Sequence, residues 1–125
     1  MKTPDIRPHT RRRHILLLTF LLGLLLSTRP ATAEIAVVLN SNDDDLSLID
    51  TATYEVIRRV PIGKGPHHLI PTPDERVLIV GNTTSNELVL LDPVSGEILR
   101  RVPRIADPYQ LGFSPDGRWF VVAGN

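Results

Sequence analysis

The chain overlays on itself, without a gap, when it is shifted by 42 positions. Asp50 falls on Asp92, Arg58-Arg59-Val60-Pro61 on Arg100-Arg101-Val102-Pro103, and Pro66 on Pro108. Leu69 then falls on Leu111, Pro73-Asp74 on Pro115-Asp116, and Arg76 on Arg118. About a third of the overlaid positions are identical, far above chance, and a period of about 40 to 45 residues built of short strands is the signature of propeller blades.

The strand signals within one period fit that architecture. Residues 46–49 (LSLI) and 88–91 (LVLL) read as short apolar strands, each closed by an aspartate, Asp50 or Asp92, whose carboxylate suits the amides of the following turn. Residues 55–60 and 97–102 read as outer strands, where the paired arginines sit on a solvated edge and discourage further strand addition. Residues 35–40, 77–82 and 119–124 form a third set, dense in β-branched and aromatic residues. The fourth strand of each period lies at 68–72 and 110–114 and runs into Thr72-Pro73-Asp74-Glu75-Arg76 or Ser114-Pro115-Asp116-Gly117-Arg118. Proline presets the first turn angle and Gly117 accepts a positive φ, so Glu75 at the matching place predicts a turn more strained or differently closed. Four strands per period and no helical periodicity give an all-β, four-stranded antiparallel β-propeller. A β-sandwich also has many short strands but does not require a gapless repeat.

Ahead of the repeats, Lys2, Arg7, Arg11, Arg12, Arg13 and Arg29 face a single acid, Asp5, whereas residues 34–125 hold 13 acids and 8 bases. The basic start leads into the apolar run 15–26 (ILLLTFLLGLLL) and then Ala31-Thr32-Ala33. This is the layout of a secretory signal peptide, residues 1–33, with the cut between Ala33 and Glu34. The apolar run has about a dozen residues, whereas a membrane-spanning helix needs about 20, so no stable membrane span is expected after cleavage. A twin-arginine signal, suggested by Arg11-Arg12-Arg13, is the less fitting route for so leucine-rich a core. The mature part is expected in the periplasm or secreted. It has no cysteine, which excludes disulfides, thiolate metal sites and cysteine nucleophiles.

The segments LSLIDTATYEVIRRVPIGKGPHHLIPTPDERVLIVGN and LVLLDPVSGEILRRVPRIADPYQLGFSPDGRWFVVAGN resemble the YVTN-type β-propeller repeat across essentially the whole mature part. They depart from it at Glu75 and at Gly81-Asn82, where the repeat often has Ala-Asn. The resemblance implies a superfamily that includes the haem-carrying propeller of dissimilatory nitrite reductase, lactonase-type propellers and periplasmic or surface repeat proteins, and a fold does not choose among them. Counted against it, residues 34–125 supply three strands of one blade, one complete blade and two strands of another, about two blades in all. The expectation is an amino-terminal fragment of a longer propeller, closed by a strand from its other end.

The resemblance also implies that the innermost strand of each blade lines a channel, and that the loop entering it faces ligands. His67 and His68, and their counterparts Tyr109 and Gln110, are then the candidate ligand-binding residues. Neutral imidazole is a good ligand for a transition metal or haem iron. Adjacent residues on a regular strand point to opposite faces, which separates the two histidines unless the strand has not yet begun there. No metal site and no cofactor is expected from spacing, while haem or a transition metal remains the alternative that the resemblance implies. Asn42-Asp43-Asp44-Asp45 offers oxygens to calcium but lacks the glycine and distal glutamate of a reliable loop, which makes it a solvated turn. Asn82-Thr83-Thr84 fits a glycosylation sequon. The acidic body argues against nucleic acid, and no Ser/His/Asp set, phosphate loop or Rossmann fingerprint occurs. The sequence therefore points to a non-catalytic propeller that binds a small-molecule ligand or a periplasmic protein. A haem- or metal-dependent redox or cofactor-maturation propeller and a lactonase-like hydrolase are its alternatives.

Overall fold

The computed structural model describes residues 34–125, so the expected signal peptide lies outside the described residues. Nine strands follow one another: β1 (Ile35–Asn40), β2 (Asp45–Asp50), β3 (Val56–Pro61), β4 (Pro66–Pro71), β5 (Leu78–Asn82), β6 (Glu87–Leu91), β7 (Ile98–Pro103), β8 (Pro108–Phe113) and β9 (Phe120–Gly124). They form three antiparallel meanders, β1-β2-β3, β4-β5-β6-β7 and β8-β9, which are three strands of one blade, a complete blade and two strands of the next. This is an open, partial propeller. Among the described residues no helix is long and apolar enough to cross a membrane.

Side chains alternate between the two faces of a strand, and the middle blade buries both. Leu78 and Val80 of β5 and Val89 and Leu91 of β6 join Leu46, Leu48 and Val60 of the preceding blade in one cluster, completed by Ile62. Ile79 and Leu88, on the other face, pack with Leu111 and, at the margin, Phe113 and Phe120 of the following blade. Burial on both faces is why β6 reads LVLL and not as an alternating strand, and each such side chain contributes about 1.5–3 kcal/mol of transfer free energy. The blades approach most closely through their inner strands, where β4 meets both β1 and β8. Beside them Gly81 of β5 lets β8 come close: a β-carbon built on it would lie 2.5 Å from the carbonyl oxygen of Pro108.

The turns follow the repeat. Asp50 Oδ1 accepts the amides of Ala52 and Thr53, and Asp92 Oδ1 those of Val94 and Ser95. Glu75 and Gly117 close their turns identically, each amide donating over 2.8 Å to the carbonyl of Thr72 or Ser114. Their φ angles are 58° and 68°, so the glutamate takes the left-handed conformation that the glycine holds without a side chain. The turn is strained and not rebuilt.

Register breaks recur as well. On β3 and β7 one extra residue, Ile57 or Leu99, interrupts pairing with β2 or β6. A bulge on an outer edge twists it away from further strand addition, alongside the arginines. The inner strands carry the second set of bulges, and these bear on function.

Candidate functional site: the inner-strand bulges

β4 and β8 start two residues earlier than the sequence suggests. Pro66 pairs with Asn82 and Pro108 with Gly124 before the ladders shift. Proline is tolerated because these strands open at a sheet edge, where no amide is required. Between Pro66 and His68 two residues of β4 oppose a single step of β5, which makes His67 the extra residue, and Tyr109 is its counterpart in β8.

The bulge overturns the expected separation of the two histidines. The His67 ring stacks on Tyr109 with centroids 3.8 Å apart and an interplanar angle of 29°, and its Nδ1 lies 3.0 Å from the Tyr109 carbonyl oxygen. His68 also reaches the next blade, where its Nδ1 accepts the amide of Leu111 over 3.2 Å. Strict alternation would send one ring toward each neighbouring blade. An inserted residue re-aims a side chain, and both rings turn to β8. His67, Tyr109 and Gln110 are exposed and His68 is half-buried.

The loops that enter the inner strands are tied to the neighbouring hairpins. Gly65 donates to Asp44 Oδ1, and its carbonyl accepts the amide and hydroxyl of Thr83. Ser41 Oγ donates to the Pro66 carbonyl over 2.6 Å, while Asp107 donates its amide to Asn86 Oδ1. Asp44, Asn86, Arg104 and Asp107 all adopt positive φ here, at 59°, 55°, 66° and 38°. Non-glycine residues in that region cost free energy that the surrounding hydrogen bonds must offset, so these loops are firmly set.

A repeated polar clamp lies behind them, and the sequence reading of the arginine pairs as solvated edges missed it. Arg59 reaches Asp43 at 2.6 Å and Asp45 at 3.0 Å, and Asn40 Nδ2 donates to Asp45 Oδ1 and Ser47 Oγ. One period on, Arg101 contacts Glu87 Oε1 at 3.0 Å and donates to the Ile62 carbonyl, which Asn82 Nδ2 also reaches at 2.7 Å. Asn82 is fully buried, and its Oδ1 has no partner among the described residues. The recurrence of Asn40/Asn82, Asp45/Glu87 and Arg59/Arg101 at the 42-residue shift is the signal that could have found the clamp. Its first copy also occupies the acidic loop: Asp43 and Asp45 serve Arg59, and Asp44 serves Gly65. The Asn40 amide, and after it Arg59, hold the Asp45 carboxyl below its ordinary 3.8, against an upward push from burial that is second only to the Asn40 bond. Among the described residues no three His, Asp or Glu side chains converge as a metal site. The shallow depression lined by Gln110, Leu111, Gly112, Val121 and Ala123 lies along the paired strands β8 and β9.

A family model described as YNCE-like beta-propeller matches residues 24–125. The chain belongs to the YNCE-like β-propeller family. Among solved structures, this YNCE-like chain is similar to Kuenenia stuttgartiensis hydrazine synthase, at 23% identity over 72% of this chain and 26% of that one, with a TM-score of 0.63. That likeness shows the fold. It is also similar to dihydro-heme d1 dehydrogenase NirN in complex with DHE, at 26% identity over 79% of this chain and 22% of that one, with a TM-score of 0.62. The YNCE-like chain thus spans about a quarter of the length of these structures. None of the curated proteins matches it.

Proposed function

We propose that the chain serves a periplasmic or secreted propeller as a non-catalytic ligand- or partner-binding scaffold, with His67, His68, Tyr109 and Gln110 as its contact surface. One observation carries the reading: of the inner-strand residues that break the repeat, His67 stacks on Tyr109 and His68 reaches the same strand, at the places where the two ladders bulge. Scaffold positions such as Pro66/Pro108 and Leu69/Leu111 recur from blade to blade, whereas His67-His68 and Tyr109-Gln110 do not. A stacked His–Tyr pair offers an aromatic edge, a hydroxyl and a ring nitrogen within one small area, which suits a small planar or polar ligand. Secretion rests on the leader-like composition of residues 1–33.

A second reading has its own support in the similarity to NirN, whose structure is a complex with DHE. Here the pair would meet a haem- or metal-bearing cofactor. The donor set fits such a group only in a limited way. Without three converging ligands a bare ion has no cage among the described residues, whereas a metal already held by a macrocycle needs only one or two protein ligands. His67 is the exposed imidazole that could supply one.

An absorption spectrum and a metal analysis of the purified protein separate the two. The scaffold reading expects a colourless, metal-free protein whose ligand-induced thermal shift disappears in His67→Phe. A haem band or stoichiometric metal that is lost in His67→Ala would overturn it in favour of the second.

A further inference from the structure

We propose that His67 and His68 are fixed in opposite tautomers, so that His67 presents the ligand-facing lone pair and His68 is a positioning residue. The proposal deepens the contact-surface reading and rests on it for its function, but the tautomers follow from geometry alone.

A backbone carbonyl can only accept a hydrogen bond and a backbone amide can only donate one. His67 Nδ1 stands 3.0 Å from the carbonyl oxygen of Tyr109, so Nδ1 carries the proton and neutral His67 keeps its lone pair on Nε2. His68 Nδ1 receives the amide of Leu111 at 3.2 Å, so that nitrogen is unprotonated and the proton sits on Nε2. The rings are adjacent in sequence and lean on the same strand, yet they are chemically inverse. His67 Nε2 has no partner among the described residues and belongs to an exposed ring, while its Nδ1–H is anchored to a carbonyl and its face is held against Tyr109. A carbonyl on Nδ1 and a free Nε2 is the arrangement that orients an imidazole for a metal or a proton donor.

His68 is unsuited to that task. Its Nδ1 lone pair is engaged by Leu111, and its Nε2 bears the proton. It joins the inner strands of two blades through the Leu111 amide. The site therefore takes a ligand whose electron-pair acceptor faces His67. The acceptor is either an acidic N–H or O–H group or a metal centre with an open position.

The test is nitrogen-15 NMR of the imidazole rings in the full chain without ligand, at about pH 8, above the ordinary imidazole range. His67→Phe keeps a ring on Tyr109, His68→Gln installs the residue that stands at position 110, and together they assign the signals. The expected result is protonated Nδ1 with unprotonated Nε2 for His67 and the reverse for His68. The same tautomer in both rings, or free exchange in either, overturns the proposal. Zn2+ alone then serves as the probe, at a concentration that shifts free imidazole. Expected is a shift at His67 Nε2, absent in His67→Phe and retained in His68→Gln. A shift at His68 in place of His67, or none at either ring, overturns the division of roles. The ligand-free spectrum tests the tautomers whatever the ligand proves to be, so failure of the contact-surface reading leaves them standing.

Discussion

Replacing Glu75 with glycine should stabilise the protein. Glu75 holds φ at 58° in a turn whose counterpart, Gly117, holds 68° with an equivalent 2.8 Å hydrogen bond. A left-handed backbone costs an L-residue about 1–2 kcal/mol through the clash of its Cβ with the following carbonyl. Glycine removes that cost but brings a more flexible unfolded chain, worth about 0.4–1 kcal/mol against it. The Glu75 side chain is exposed and makes no hydrogen bond among the described residues, so nothing else is lost. The net gain is about 0.5–1 kcal/mol, which for a domain near this size raises Tm by roughly 2–8 °C. Gly117→Glu should give a loss of similar size. Urea titration followed by far-ultraviolet circular dichroism reads both, because Trp119 is 69% exposed and a poor probe of packing. A destabilised Glu75→Gly, or an unaffected Gly117→Glu, would refute the claim that the two turns share one strained geometry.

Gly81→Ala should lower stability by about 1–3 kcal/mol in the same titration, since the new methyl meets the Pro108 carbonyl at 2.5 Å and β5 and β8 must part. Mass spectrometry of the protein from a glycosylating host should find Asn82 unmodified despite its sequon, because the side chain is 0% exposed and bonded to the Ile62 carbonyl. Acid should destabilise the turns. The Thr72 hydroxyl lowers the pKa of Asp74, the Ser95 amide that of Asp92 and the Ser114 hydroxyl that of Asp116, all from an ordinary 3.8. Each carboxylate contributes stability above that ordinary value, and the contribution is lost as the pH falls through the lower folded one. The urea midpoint should therefore drop below about pH 4, with a shallower drop in Asp92→Asn.

The blade boundaries were legible because the repeat is gapless and its punctuation is chemical: Asp50 and Asp92 cap turns, and Pro-Asp-Gly builds them. The apolar run 88–91 marked a strand, and its burial on both faces emerged only from the packing of the blades. What stayed hidden was register. Nothing in Pro66-His67-His68 marks His67 as an inserted residue, because a bulge is a property of the pairing with β5, and alternation assumes that no such insertion exists. The same blindness sent His67 and His68 to opposite faces. The clamp was missed for another reason. Arg59 meets acids 14 and 16 residues away across a hairpin, a distance that local patterning does not scan. Only the spacing of the repeat could have joined them.

The central claim is that the inner-strand bulges bring His67 and Tyr109, which break the repeat, together across the blade junction. A double-mutant cycle of His67→Ala and Tyr109→Ala, read by urea denaturation, tests it most directly. The stacked pair predicts a coupling of about 0.5–1 kcal/mol, with the double variant less destabilised than the sum of the singles. Additivity to within about 0.3 kcal/mol would mean that the rings do not meet and that the inner strands present His67 and Tyr109 separately.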